Sequence, residues 1–184
     1  VRMEIPYDSE EALEVAEEIM GFIQRESSAT SVKLAGERGA FPNFKGSRFD
    51  VDGAPKRRNA TTTTIAPTGT LSIIAGCSSG VEPLFAVAFI RHVMDDDELV
   101  EVNPVFEEIA RREGFYSEEL MKKIAEEGTV KGIKEIPEHW RRIFVTAHDI
   151  TPEWHIRIQA AFQKYTDNAV SKTVNFPKSA TKED

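Results

Sequence analysis

A helix-rich α/β fold is the class this sequence predicts, and three observations carry it. Apolar residues recur at helical spacing behind recognisable caps in several stretches, three runs have strand composition, and Gly or Pro separates one kind of run from the other. With 184 residues, 40% hydrophobic and 29% charged, the chain is long enough for an ordinary globular core, and one domain is the default.

Taken in order, the first helix starts at Asp8 as cap with Glu11 at the capping-box position, and carries Leu13, Ala16, Ile19, Met20 and Ile23 as one stripe. A separate second helix is predicted over residues 29–38, with Gly39 as its stop. Residues 39–55 read as a loop packed by Phe41, Phe44 and Phe49 rather than as a linker. Residues 58–66, with four consecutive threonines and Ile65, read as a strand. After the turn at Pro67, Thr68 and Gly69, a short helix from Thr70 ends at Gly76, and residues 84–93 form a second strand candidate. Asn103 followed by Pro104 starts a helix, Ser117 starts another with Leu120, Met121, Ile124 and Ala125 on one face, and Pro137 opens a short segment around Trp140. Thr151 and Pro152 begin a longer helix to about Tyr165, and residues 169–176 form a third strand candidate closed by Pro177.

Bulk properties exclude several classes. The net charge of -8 argues against a nucleic-acid binder, which needs a basic face to displace counterions. No run approaches the roughly 18 apolar residues of a membrane span, and the first residues lack the apolar core of a signal peptide, so a cytoplasmic protein is expected. Cys77 is the single cysteine, which rules out an internal disulfide or a cysteine-rich metal site within the chain. His92, His139, His148 and His155 lack a His-Glu-X-X-His spacing, so structural or surface roles are expected and no metal site is assigned. The acidic run Asp95, Asp96, Asp97 and Glu98 reads as a solvated turn, because it lacks the glycine and distal glutamate of a calcium loop. Trp154, Phe162 and Tyr165 fall at helical spacing and read as core contacts. Lys172 has two faces open to it, one toward a substrate anion and one toward solvent, and is left unassigned.

One stretch carries chemistry. A strand followed by Pro67, Thr68, Gly69, Thr70, Leu71 and Ser72 at a helix start is a plausible anion site on physical grounds. The first amides of a helix have no intrahelical acceptor, and the helix dipole adds positive potential there. Gly69 lets a ligand approach the backbone, and Thr68, Thr70 and Ser72 bring hydroxyls. The same pattern also fits a plain turn in which Thr70 caps its own helix.

The longer string resembles a known family. Residues 58–72, through Gly76, Cys77, Ser78, Ser79, Gly80, Val81, Glu82 and Pro83, resemble the substrate-phosphate segment of ribonucleotide reductase large chains, most closely the adenosylcobalamin-dependent class. Residues 6–13, residues 39–42 and residues 167–175 resemble, in order, further segments of the same family. The resemblance implies part of a ten-stranded α/β barrel, with residues 1–184 as one partial domain on the carboxyl side of the catalytic barrel. It implies an oxidoreductase function in deoxyribonucleotide biosynthesis for DNA replication: radical reduction of ribonucleoside di- or triphosphates, with adenosylcobalamin and its cobalt as cofactor of the whole enzyme. Pro67 to Ser72 would hold the substrate phosphates. Implied partners are the ribonucleotide substrate and the remainder of the reductase polypeptide or a complementary chain, with the whole enzyme a homodimer.

The departures limit the role. The family's reaction requires a thiyl-radical cysteine in an Asn-X-Cys-X-Glu motif and an oxidisable cysteine pair, and neither occurs in this sequence. The chain alone is therefore expected to be inactive, with no catalytic residue of its own. Cys77, flanked by Gly76 and Ser78, is expected to be a buried structural cysteine. The alternative reading is a non-catalytic structural or interaction module that assembles with a separate chain carrying the radical cysteine.

Overall fold

The computed structural model describes residues 1–92 and 98–183. It opens with one long helix, α1 (Glu10–Arg38). The cap is Ser9, one residue beyond the expected Asp8: its hydroxyl oxygen accepts the Ala12 N–H at 3.2 Å, and Gly39 ends the helix at φ 77°. The predicted break near residue 29 does not exist. Ser27 donates to the carbonyl of Gln24 at 3.2 Å, and Ser31 is buried against Asn59, so the serines are absorbed without leaving the helix. The helix spans roughly 43 Å. Its predicted stripe divides: Ala16 and Met20 are buried, whereas Ile19 and Ile23 are exposed together with Phe22. Gly21 brings α1 close to the C-terminal region, because a Cβ there would stand 3.6 Å from the Tyr165 ring.

Residues 39–55 form the packed loop expected. Phe44 is buried, Phe41 meets Phe44 and Phe49 edge-on, and Arg48 and Arg57 lie over the Phe49 ring at 4.7 and 4.4 Å. Residues 58–66 are extended but do not form the predicted strand. Their ladder amounts to one parallel bridge, Ile65 with Val170, and the same bridge is what remains of the strand expected over residues 169–176. Side chains take over the pairing. The Asp167 carboxylate accepts the Thr62 N–H at 2.7 Å, the Thr62 hydroxyl at 3.2 Å and the Gln24 amide at 2.7 Å, and the Thr63 hydroxyl donates to Gln24 at 2.6 Å.

The short helix α2 (Gly69–Ala75) follows, ended by Gly76 in the left-handed region. Next comes an antiparallel hairpin of β1 (Ala88–His92) and β2 (Glu98–Val102), with register from Ala88↔Val102 to His92↔Glu98. The strand starts at Ala88 rather than at the expected residue 84, where Leu84 instead bridges Thr146, Val93 lies outside the described residues, and β2 had no counterpart in the sequence reading. Of the acidic run expected as a turn, Asp95, Asp96 and Asp97 lie outside the described residues, while Glu98 instead opens β2, paired with His92.

The remaining helices sit where their caps predict. Helix α3 (Pro104–Arg112) begins with the Asn103 side chain accepting from Val105 and Phe106, and α4 (Glu118–Glu127) with Ser117 accepting from Leu120. Then come α5 (Glu138–Ile143) and α6 (Pro152–Gln163). One apolar cluster joins the hairpin to α3, α4 and α5 around Phe106, Ile124, Ile136 and Phe144, all fully buried. A smaller one, built on Val81, Ile158 and Val170, packs Tyr7, Leu13, Ile65 and Phe162 between α1 and α6. The site described next lies beside this second cluster.

Candidate functional site

Pro67, Gly69, Thr70 and Leu71 are exposed, Thr68 is half-buried and Ser72 is buried. The turn is shaped by Thr68, which sits in the left-handed region at φ 51°, a conformation that costs a non-glycine residue about 1 kcal/mol or more. Its carbonyl accepts the Ser72 N–H at 2.8 Å, which starts the helix. The amides of Gly69, Thr70 and Leu71 precede Ser72, the first N–H bonded within the helix, and so have no intrahelical acceptor. Beyond its chain neighbours and its own helix backbone, Gly69 has no atom within 4 Å of where a Cβ would stand, so the space beside it is open.

The hydroxyls divide by role. Ser72 is turned inward: it donates to the Gly69 carbonyl at 2.6 Å and shares a hydrogen bond with Ser79 at 2.9 Å, so it braces the turn. Thr68 Oγ1 accepts the Gly80 N–H at 3.1 Å and keeps its own proton available. Thr70 is exposed. Gly80 is required where it stands, since its φ is 49° and a Cβ would come within 3.1 Å of the Ala66 carbonyl.

Behind the turn lies a buried polar cluster that the sequence reading missed. The Lys172 side chain has 0% exposure, and its Nζ donates to Glu82 Oε2 at 2.5 Å, to His155 Nδ1 at 2.8 Å and to the Thr173 carbonyl at 2.6 Å. Because an ammonium only donates, His155 Nδ1 must accept, which places the imidazole proton on Nε2, facing the Ala147 carbonyl at 3.0 Å. Burial, reinforced by Lys172, holds the His155 pKa below its ordinary value and keeps the ring neutral. Glu82 Oε1 accepts the Thr173 N–H at 2.6 Å. The Tyr7 hydroxyl donates to the Val81 carbonyl at 2.6 Å, and burial, with Glu82 second, pushes its pKa far up. The signal available in sequence was an ionisable residue, Glu82, set between Val81 and Pro83 in an otherwise apolar run.

The other tempting residues resolve as structure. Asp149 accepts from the Thr146 N–H and hydroxyl and from Thr129, closing a loop. His139 is exposed near Glu4, while Trp154, Phe162 and Tyr165 are half-buried, with Arg157 over the Trp154 ring at 4.1 Å. Among the described residues, no group of three or more His, Cys, Asp or Glu side chains is placed to hold a metal ion. Cys77 corrects the expectation: it is exposed, because it lies just past the end of α2 on the outer surface. A cavity of about 510 Å³ opens beside the cluster, lined mainly by apolar side chains including Ile5, Val15, Ile19 and Leu84.

Comparison with known proteins covers the whole chain. The family model described as "Ribonucleotide reductase, barrel domain" matches residues 1–55 and 56–184. A vitamin B12-dependent ribonucleoside-diphosphate reductase of Thermoplasma acidophilum is 56% identical over 184 residues, which is 100% of this chain and 24% of that protein. One of the same name from Mycobacterium tuberculosis is 51% identical over 180 residues, covering 98% of this chain and 26% of that protein. The chain thus spans about a quarter of the length of these curated relatives. Among solved structures, an Actinobacillus ureae class Id ribonucleotide reductase alpha subunit superposes with a TM-score of 0.73 at 26% identity, over 90% of this chain and 29% of that one.

Proposed function

The chain belongs to the ribonucleotide reductase barrel-domain family, and from that premise we propose that it supplies the substrate-phosphate cradle of a vitamin B12-dependent ribonucleoside-diphosphate reductase. The observation that carries the reading is the exposed turn at Gly69, Thr70 and Leu71, whose amides precede the first intrahelical hydrogen bond, with the Thr68 and Thr70 hydroxyls in the same turn. Residues 67–72 would hold a diphosphate through backbone N–H donors, favoured by the helix start and needing no lysine. Residues 1–184 act as one part of a larger catalytic barrel, in a cytoplasmic enzyme that works as a homodimer. No helix among the described residues is long and apolar enough to cross a membrane.

The chemistry of reduction lies with residues outside this chain. Cys77 is its single thiol, and one thiol cannot both abstract hydrogen and serve as a reducing pair. The role left to this segment is to bind and orient the substrate. Adenosylcobalamin is the cofactor that the relatives' names support for the whole enzyme. The cavity of about 510 Å³ does not fit that group by itself, because a corrin with its nucleotide loop and adenosyl group outgrows even a large ligand pocket of roughly 1,000 Å³.

The test is deoxyribonucleotide formation by the full-length polypeptide that carries this segment. Formation of product that depends on the corrinoid, with a raised KM in a Gly69→Val variant, is expected. An inactive full-length protein, or unchanged kinetics in the variant, would remove the reading. The exposed apolar side chains of α2, Leu71, Ile73 and Ile74 at 64%, 82% and 78%, favour a second reading in part: this face is covered by further protein. Concentration-dependent self-association of the isolated chain, abolished by charged residues at Ile73 and Ile74, is the corresponding observation.

A further inference from the structure

We infer that Lys172 and Glu82 are positioning residues for the phosphate turn, acting through residues 79–82. The inference rests on the phosphate reading above and adds residues that stand outside the turn itself.

The connection is a continuous set of short contacts. Residues 79–82 are held on one side by the turn and on the other by the buried ion pair. On the turn side, Ser79 meets the Ser72 hydroxyl at 2.9 Å and the Gly80 N–H donates to Thr68 Oγ1 at 3.1 Å. On the far side, the Val81 carbonyl accepts from Tyr7 at 2.6 Å, and Glu82 is gripped by Lys172 at 2.5 Å and by the Thr173 N–H at 2.6 Å. The Glu82 N–H closes back on the Ser79 carbonyl at 2.9 Å, so the four residues move as one tight turn.

Thr68 needs such a brace. A threonine at φ 51° stays in the left-handed region only when its surroundings over-determine it. The contact that reaches its side chain is the Gly80 N–H, and Gly80 is placed by Val81 and Glu82. Lys172 is itself fixed by three acceptors, Glu82, His155 and the Thr173 carbonyl, so the anchor is rigid. Loss of the lysine leaves Glu82 as a partly buried carboxylate without a counter-charge, held by the Thr173 N–H alone, so that it swings toward solvent and draws residues 79–82 with it. The turn that carries the amides of Gly69, Thr70 and Leu71 then loses its brace at Thr68 and Ser72.

The experiment compares this chain with its Lys172→Met variant, using inorganic pyrophosphate as the probe and amide resonances of Thr68, Gly69, Thr70, Leu71 and Gly80 as the structural readout. A misplacement on the ångström scale is expected to weaken pyrophosphate binding by about tenfold to a hundredfold. The Thr68 and Gly80 resonances shift at the same time. An Ile133→Val variant, altered in the distant cluster where Ile133 is 1% exposed, controls for stability: it lowers the unfolding midpoint and leaves affinity and those resonances unchanged. Should Lys172→Met fail to fold, Glu82→Gln keeps the shape and the acceptor for Thr173 while removing the ion pair, and is read the same way. Unchanged affinity and unchanged Thr68 and Gly80 resonances in a folded variant would overturn the inference. Absence of pyrophosphate binding by the unaltered chain would overturn the phosphate reading instead, and the coupling would then stand or fall on the resonances alone.

Discussion

Replacing Asp167 by alanine removes the carboxylate that fastens residues 58–66 to α1 and to the segment after α6. That carboxylate accepts three hydrogen bonds, from the Thr62 N–H at 2.7 Å, the Gln24 amide at 2.7 Å and the Thr62 hydroxyl at 3.2 Å. Bonds to a charged group are worth about 1.5–3 kcal/mol each when fully formed, and this half-buried group is partly screened, so a loss of about 2–3 kcal/mol is expected. With a urea m-value of about 2 kcal/mol/M for a chain of this size, the midpoint should fall by about 1–1.5 M. Asp167→Asn keeps one acceptor oxygen and should lose about half as much.

The pH dependence gives a second handle on the same residue. Burial acts to raise this carboxyl, but the bonds from Thr62 and Gln24, helped by Arg57, outweigh it and hold the pKa below the ordinary 3.8. A depressed carboxylate means that the unfolded chain binds more protons in this range. The stabilisation is therefore complete above the unfolded value and is lost as pH falls through the folded one. Equilibrium urea unfolding followed by circular dichroism, from neutral pH into this acid window, measures both effects. A midpoint for Asp167→Ala within about 0.3 M of the parent, or an identical acid loss in Asp167→Asn, would show that the threonine tract is held by something else.

Two further outcomes are expected. Phe106→Ala, in the larger cluster where Phe106 is 0% exposed and stacks edge-on to Phe144 at 4.9 Å, should cost about 3–5 kcal/mol in urea unfolding, because a cavity replaces the ring. His155 is faced by Lys172, Glu82 and Tyr7, with His148 further off, and its pKa is lowered by burial first. The unfolded chain therefore takes up this proton first. Thermal stability should decline as pH falls below the ordinary 6.5 toward the depressed folded value, and a His155→Gln variant should lack that component.

Much of the fold was legible because its signals are local. Asn103 with Pro104, Ser117 and Gly76 mark their helix ends through contacts within a few residues, and the turn at 67–72 lies where its Thr-Gly pattern puts it. What was not legible depends on partners remote in sequence. The serines that looked like a helix break are absorbed because Ser31 meets Asn59 and Ser27 meets Thr62. The threonine tract has strand composition, yet Asp167, more than a hundred residues away, takes the place of most of a ladder. Lys172 sat in a run with two possible faces, and nothing local could say that Glu82 and His155 wait on one of them. Cys77 was misjudged because small neighbours indicate packing only when another element covers them, and none among the described residues does.

The central claim is that the amides of residues 69–71 hold the phosphates of a ribonucleotide, and titration of the isotope-labelled chain with a ribonucleoside diphosphate tests it most directly. Shifts should concentrate on Gly69, Thr70 and Leu71. Gly69→Ala, whose added methyl meets no atom within 4 Å beyond its chain neighbours and its own helix backbone, should keep or raise thermal stability by about 0.5–1 kcal/mol. The same methyl stands in the ligand's approach and should weaken binding about tenfold. Nucleotide binding that leaves those three amides unmoved, or that Gly69→Ala does not weaken, would contradict the account.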